Sequence, residues 1–143
     1  MIEGPVASAD CADSVGLERE LPNSVYRVGA TAAMPLGDAS EVARENVTGA
    51  DGQYFAKVPL YVRGSSSVSI RALTELRLSW GTIETHREVS ISGCADSDSL
   101  WAIFAGGFTV PVLGCHTIVV ESDGEKRQFT FGVGAPCASA TPR

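Results

Sequence analysis

The side chains best suited to acid–base chemistry in this sequence are two histidines, His86 and His116. A serine nucleophile needs a base within hydrogen-bond reach and a third group that orients the base. None of the serines lies in a Gly-x-Ser-x-Gly turn, and His116 shares a strand face with Ile118 and Val120. We therefore expect a solvated His86, a hydrogen-bonded structural His116 and no catalytic residue.

The four cysteines, Cys11, Cys94, Cys115 and Cys137, could bind a metal, form disulfides or remain buried thiols. Their spacing is wide, no Cys-x-x-Cys pair occurs and the histidines do not lie at zinc-ligand spacing. We therefore predict no metal site and no cofactor. The even number of cysteines favours disulfides over free thiols, and disulfides indicate an oxidising compartment outside the cytoplasm.

Four cysteines permit three disulfide connectivities, which sequence alone does not distinguish. We predict Cys94–Cys115, which would join the ends of two nearby strands. The second predicted pair is Cys11–Cys137, which would join the two peripheral segments, because the termini of domains often lie close together. The rival pair is Cys115–Cys137, which would flank the last hairpin.

Aromatic side chains are the residues that could bind a ligand such as a glycan. If exposed, Trp80, Trp101 and Tyr61 could form a platform on which sugar rings stack. The sequence has ten aromatic residues among 143, so most of them are needed to fill the core of a single domain. We therefore expect most aromatics to be buried and keep these three as candidate ligand-binding residues.

An acidic segment, ADSDSL (95–100), places Asp96 and Asp98 in one loop with Ser97 and Ser99. Alternating oxygen ligands can bind calcium, but the twelve-residue loop that ends in Glu is absent. We expect a solvated turn. The formal charge is -6, and the 11 basic residues are scattered, so the sequence predicts neither a nucleic-acid partner nor binding to an anionic membrane.

The stretch Leu100 to Val120 has no charged residue and is long enough to span a bilayer. It contains Gly106-Gly107 and Pro111, which disfavour a helix interior by about 1 and about 3 kcal/mol respectively. We therefore predict no membrane insertion. Two buried strands, Trp101–Val110 and Cys115–Ser122, are expected instead.

Alternation of apolar and polar residues predicts further strands, which lie at 24–34, 54–64, 66–73, 76–81, 86–94 and 126–134. Asp123-Gly124 is a tight-turn pair that should join the last two strands in a hairpin. At most one short helix is predicted, near 38–46, with Asp38 as its candidate N-cap. The fold class is therefore all-β, an immunoglobulin-like antiparallel sandwich of about seven or more strands.

The length of 143 residues predicts one domain. We expect an irregular N-terminal segment at 1–23 that a disulfide ties to the domain, a sandwich at 24–137 and a linker-like tail at 138–143. The first residues have neither a basic nor an apolar region of a signal peptide. We therefore expect a mature fragment if the protein is exported.

The C-terminal half contains motifs that point to a family. The run FAGGFTVPVLGCHTIVVESDGEKRQFTF (104–131) resembles the closing strands of immunoglobulin-like sandwich domains in bacterial cell-surface proteins. With KVPLYVRGSSSVSI, VSISGC and FGVGAPC, residues 54–137 are similar to uncharacterised secreted or membrane-anchored proteins of high-GC Gram-positive bacteria. The resemblance implies an extracytoplasmic immunoglobulin-like module of unknown role and supplies no catalytic residues.

These observations lead to one functional prediction and two alternatives. We predict a non-catalytic module at the cell surface or in the extracellular space, which acts in interaction, adhesion or structure. Its expected partner is another cell-surface protein or a glycan. The first alternative is a carbohydrate- or ligand-binding module that uses exposed aromatics. The second is a hydrolase on a sandwich scaffold, for which the sequence places no cluster of polar groups.

Overall fold

The computed structural model describes residues 6–22, 25–36, 41–50, 52–94 and 99–137. Short 3-10 turns lie at Cys11–Asp13 and Arg44–Asn46. The strands are β1 Ala7–Ala9, β2 Gly16–Glu18, β3 Tyr26–Gly29, β4 Ala32–Met34, β5 Glu41–Val42, β6 Val47–Ala50, β7 Gln53–Lys57, β8 Leu60–Arg63, β9 Ser67–Ala72, β10 Arg77–Trp80, β11 Glu88–Ser92, β12 Trp101–Phe104, β13 Gly106–Val110, β14 Gly114–Ser122 and β15 Glu125–Val133.

One layer of the molecule is a six-stranded sheet in the order β1-β11-β9-β14-β15-β5. Its four central strands are antiparallel, and β14 and β15 form the predicted hairpin. Asp123 and Gly124 have φ of 52° and 79°, which suits a two-residue hairpin turn in which both residues have positive φ. Parallel pairing occurs at both edges, where β1 joins β11 and β5 joins β15, so the sheet is mixed and not purely antiparallel.

The opposing layer contains a five-stranded sheet, β2-β12-β8-β4-β3, and a four-stranded sheet, β10-β13-β7-β6. Two long strands run through both sheets without a change of register. Phe104 lies opposite Leu60 in one half, and the N–H of Val58 donates to the Gly106 carbonyl between the halves, at 2.9 Å. Pro59 lacks an N–H, so the ladder is interrupted there and the two strands bend. We call this pair of strands, 53–63 and 101–110, the bent ladder.

The core lies between the six-stranded sheet and the bent ladder. Alternate residues of each strand point inward, as the predicted periodicity of two requires. Trp80 packs edge to face on Phe108, with ring centroids 5.5 Å apart, and Phe108 contacts Phe131 of the six-stranded sheet at 5.3 Å. Side chains of all three sheets meet in this one cluster, so the molecule is a β-sandwich and the predicted all-β fold class is confirmed.

Three details differ from the sequence-based prediction. Glu41–Val42 form strand β5, because Val42 pairs with Val133, and the next residues form a 3-10 turn in place of the predicted helix. Asp38, its predicted N-cap, lies outside the described residues. In the described part of the N-terminal segment, which is predicted to be irregular, β1 and β2 add one strand to each layer. The predicted strand Trp101–Val110 is bent at Ala105.

The uncharged stretch from Leu100 to Val120 forms strands β12 and β13 and most of β14, as predicted. Pro111 and Gly114 bound the loop that separates β13 from β14, and Gly114 has a φ of 121° that favours glycine. Among the residues that the structure describes, no helix has the length and apolarity needed to cross a membrane.

Candidate functional site

All four cysteines form disulfides, but not in the predicted pairs. The disulfides are Cys11–Cys94 and Cys115–Cys137, each with a Cα–Cα distance of 4.8 Å. The predicted pairs Cys94–Cys115 and Cys11–Cys137 are therefore wrong, and the rival Cys115–Cys137 is correct. Two disulfides indicate that the chain folds in an oxidising environment.

The first disulfide follows from the parallel pairing of β1 with β11. Ala9 lies opposite Ile91, so the residues that come next on the two strands also lie close together. Asp10 caps the 3-10 turn that contains Cys11: its carboxylate accepts from the Ala12 N–H at 3.0 Å. This parallel pair joins segments that are far apart in sequence, and the alternation pattern does not predict it.

The second disulfide follows from the path of the chain after β15. The backbone turns back at Gly134, which has a φ of 71°. It then passes so close to Gly132 that a Cβ there would collide with the Ala135 carbonyl. Cys115 lies directly opposite Gly132 in the hairpin, so the returning chain brings Cys137 to it.

The three aromatic residues proposed as ligand-binding residues do not form an exposed platform. Trp80 is fully buried in the core, where its indole N–H donates to the Val58 carbonyl at 2.8 Å. Trp101 is 3% exposed and Tyr61 is 8% exposed, and both lie on the outer face of the five-stranded sheet. The structure thus brings Trp101 and Tyr61 together, leaves Trp80 apart and exposes none of them.

Trp101 and Tyr61 are buried because another part of the chain covers this outer face. They pack with Ala33, and Leu21 and Val25 lie against them from the N-terminal segment. We call this group, Ala33, Tyr61 and Trp101 with Leu21 and Val25, the Trp101 cluster. It forms a second, small core on the side of the sheet opposite the main core.

Charged groups surround the Trp101 cluster. The guanidinium carbons of Arg27 and Arg63 lie 5.2 and 5.8 Å from the Trp101 ring centroid, within the range of cation–π attraction. Burial raises the pKa of the Tyr61 phenol above its ordinary value of 10.0, and the negative charge of Glu18 raises it further. The phenol is therefore held neutral, and the cluster has the properties of a packing site.

The imidazole of His116 links two loops. Its Nε2 donates to the Val112 carbonyl at 2.9 Å, because that carbonyl can only accept. Nδ1 therefore accepts from the Thr74 hydroxyl at 2.9 Å, and the same hydroxyl accepts from the Thr117 N–H at 3.3 Å. His116 is 3% exposed, and both of its nitrogens are used in holding loops together.

His86 lies near the surface, as predicted. Its Nδ1 donates to the Glu84 carbonyl at 2.7 Å, which fixes the proton on that nitrogen. The acidic residues 95–98 proposed as a solvated turn lie outside the described residues. Within the described ranges, no group of three or more His, Cys, Asp or Glu side chains is arranged to hold a metal ion.

An exposed aromatic residue occurs elsewhere, on the outer face of the four-stranded sheet. Phe55 is partly exposed and does not pack against the main core, whereas its neighbour Ala56 is buried in it. Phe55 lies opposite Thr109 on one side and Thr48 on the other. Polar and charged side chains surround it on four strands. We call this surface the Phe55 face and define it by Thr48, Gln53, Phe55, Lys57, Arg77 and Thr109.

A shallow groove opens at one end of the Phe55 face. Its volume is about 230 Å³, and its walls include Gln53, Arg77, Thr109, Glu75 and Pro111. Across the described part of the chain, the polar side chains of the face and Glu75 make no hydrogen bond or ion pair. The face therefore presents free donors and acceptors beside one aromatic ring.

Sequence reasoning missed the Phe55 face for a physical reason. Tyr54 and Phe55 are adjacent aromatics, and alternation alone does not tell which of the two points inward. The pairing resolves the question, because buried Ala56 lies opposite buried Phe108, which lies opposite buried Leu78. Phe55 must then point outward with Thr109 and Arg77.

Comparison with known proteins gives no relative from which a role could be inferred: no protein-family model, no curated protein and no solved structure matches this chain.

Proposed function

We propose that this protein is a non-catalytic module of the cell surface or the extracellular space that acts in interaction, adhesion or structure. The observation that carries the proposal is the pair of disulfides, Cys11–Cys94 and Cys115–Cys137. They fasten the N-terminal segment and the end of the last hairpin to the sandwich. Such cross-links are typical of domains that work in oxidising surroundings. The resemblance to immunoglobulin-like proteins of Gram-positive bacteria agrees with this location and stays a prediction.

The non-catalytic part of the proposal is supported by the histidines. A general base must offer a nitrogen to the group from which it takes a proton. Both nitrogens of His116 are engaged by Thr74 and Val112, inside the protein. The proton of His86 Nδ1 is held by a backbone carbonyl. The geometry of His116 favours a structural use of its imidazole, whereas the Nε2 of His86 makes no hydrogen bond within the described residues.

Location is tested by counting free thiols. The chain is produced once with an export signal and once in a reducing cytoplasm, and unreacted thiols are alkylated before mass spectrometry. We expect the exported protein to take up no alkyl group and to keep the pairing of Cys11 with Cys94 after digestion. An exported, folded protein in which all four cysteines are alkylated would contradict the proposal.

Catalysis is tested with the disulfide-bonded protein and a broad panel of ester, peptide and glycoside substrates. The matched variants are His86→Ala and His116→Ala, since these are the two histidines in the sequence. We expect no turnover above that of buffer. Hydrolysis that either substitution abolishes in a still-folded protein would establish an enzyme and overturn the non-catalytic assignment.

A further inference from the structure

The Phe55 face combines a partly exposed aromatic ring with polar side chains that make no hydrogen bond within the described part of the chain. One aromatic ring is partly exposed at its centre, and the surrounding side chains offer an amide, hydroxyls, an ammonium and a guanidinium. The exposed part of the Phe55 ring is open to apolar contact, and the polar groups around it can hydrogen-bond with a ligand. The face therefore suits a ligand that is apolar on one side and rich in hydroxyls at its edge.

The size of the face limits the class of ligand. Four neighbouring strands span about 14 Å, and three alternate residues along a strand span about 13 Å. The resulting area, on the order of 200 Å², is far below the roughly 800 Å² that each partner contributes to a stable protein interface. A few rings of a sugar chain have dimensions that match it.

The charges of the groove balance, which suits an uncharged ligand. Arg77 and Glu75 line the groove together with the neutral groups Gln53 and Thr109. A guanidinium, a carboxylate and an amide are planar groups that bind neighbouring hydroxyls in pairs. An anionic ligand such as a phosphorylated molecule would face Glu75 as well as the cations of the face.

We propose that the Phe55 face binds a neutral carbohydrate chain. One sugar ring stacks with its C–H side on Phe55, while Gln53, Arg77 and Thr109 bind hydroxyls at the ring edge. Glu75 accepts from hydroxyls at the end of the groove. This inference rests on the proposed function, because it names the ligand class of a non-catalytic extracytoplasmic module. It assigns the glycan role to Phe55 in place of the buried Trp80, Trp101 and Tyr61.

The first test measures binding directly. The disulfide-bonded chain is incubated with cellulose, chitin, xylan and mannan, and with soluble oligosaccharides of each in calorimetry. We expect at least one of these neutral polymers to retain the protein. Retention by none of them would overturn the carbohydrate inference and would leave the non-catalytic assignment intact, because that assignment is tested by substrate turnover and thiol counting.

The second test locates the site. Phe55→Ala should weaken binding by about tenfold, since it removes a stacking contact worth about 1.4 kcal/mol. Phe55→Trp should retain binding. The matched control is Tyr26→Ala, which removes an aromatic that is 39% exposed but lies on β3 in the other sheet. Equal loss in the control, or no loss in Phe55→Ala, would contradict the assignment.

Two further variants keep the test decisive if Phe55→Ala folds poorly. Gln53→Ala and Arg77→Ala remove exposed polar groups of the face, and each should weaken glycan binding by about threefold to tenfold. Sedimentation of every variant detects the rival occupant, a second copy of this chain. Self-association that Phe55→Ala abolishes, without any glycan binding, would show a self-interface and overturn the proposal.

Discussion

The two halves of the bent ladder share one register, but their outer faces differ. One outer face is covered by other residues, and the other is partly exposed. In the half that belongs to the five-stranded sheet, Leu21 and Val25 cover Trp101 and Tyr61. In the half that belongs to the four-stranded sheet, Phe55 remains partly exposed among free polar groups. The difference arises from Leu21 and Val25, which cover the Trp101 half; among the described residues no corresponding apolar pair covers Phe55. The number of aromatic residues therefore does not identify a binding surface. Whether another segment covers the aromatic rings determines whether they are exposed.

The largest loss of stability is expected when the disulfide Cys11–Cys94, which holds the N-terminal segment, is removed. Cys11→Ser combined with Cys94→Ser opens a connection between residues 83 apart and should cost about 4 to 5 kcal/mol. Tryptophan emission should also shift to the red as Trp101 becomes hydrated. Urea unfolding and fluorescence give the two readouts.

The matched control for this variant is Cys115→Ser combined with Cys137→Ser, which opens a separation of 22 residues. It should cost about 3 kcal/mol and leave the folded emission unchanged, because that disulfide lies at the end of the last hairpin. No red shift in the Cys11→Ser, Cys94→Ser protein, or an equal red shift in the control, would contradict a specific dependence of the Trp101 cluster on the N-terminal disulfide.

The second-largest loss of stability is expected when Trp101, the covered aromatic residue, is replaced. Trp101→Ala should destabilise the fold by about 3 to 5 kcal/mol, since it leaves a cavity beside Tyr61 and removes the ring that Arg27 and Arg63 contact. Chemical denaturation measures the change. A loss below about 1 kcal/mol would mean that Trp101 is solvated, and the contrast between the two halves would disappear.

The half of the bent ladder that contains Phe55 should lose little stability when its aromatic residue is replaced by alanine. Phe55→Ala should cost about 1 kcal/mol or less, because the ring is partly exposed and does not pack against the main core. The same denaturation experiment applies. A cost equal to that of Trp101→Ala would place Phe55 in a packed cluster and remove it as a surface for ligands.

The smallest effect should appear only at high pH. The pKa of Tyr61 is raised, so the neutral phenol stabilises the fold below pH 10.0, and this contribution is lost as the pH rises through the folded-state pKa. Above about pH 10 the wild type should lose stability more steeply than Tyr61→Phe. Thermal unfolding between pH 8 and pH 11 tests this expectation, and parallel curves for the two proteins would refute it.

Much of the fold could be predicted from local sequence features. Asp123-Gly124 predicted the last hairpin because few other residue pairs accept two consecutive positive φ angles. Gly106-Gly107 and Pro111 excluded a helix from the uncharged stretch. The prediction failed where pairing joins distant segments: β5 at Glu41–Val42 forms because β15 offers it an edge, and local periodicity contains no information on that edge.

The candidate site was harder to predict, because a side chain that points away from the main core can still be buried by another segment on the outer face of the sheet. Trp101 alternates out of the main core and would be exposed if the sheet had only one covered side. Leu21 lies in a stretch without clear periodicity, and Val25 lies at the start of the strand predicted at 24–34. Their position over Trp101 depends on the path of the chain between β2 and β3. The sequence does not identify Phe55 as the outward residue, because Tyr54 beside it fits the alternation of inward and outward residues equally well.

The parallel edges of the six-stranded sheet have a consequence for how the chain reaches its native state. β1 and β5 come early in the sequence, yet each docks on a strand that comes much later, at Val89 and at Gly132 respectively. During synthesis, β1 has no partner until Ile91 has been made, and β5 has none until Val133 has been made. The closure of both native edges is therefore a late step in folding. An oxidant that joins Cys11 to Cys94 after that step fixes the result.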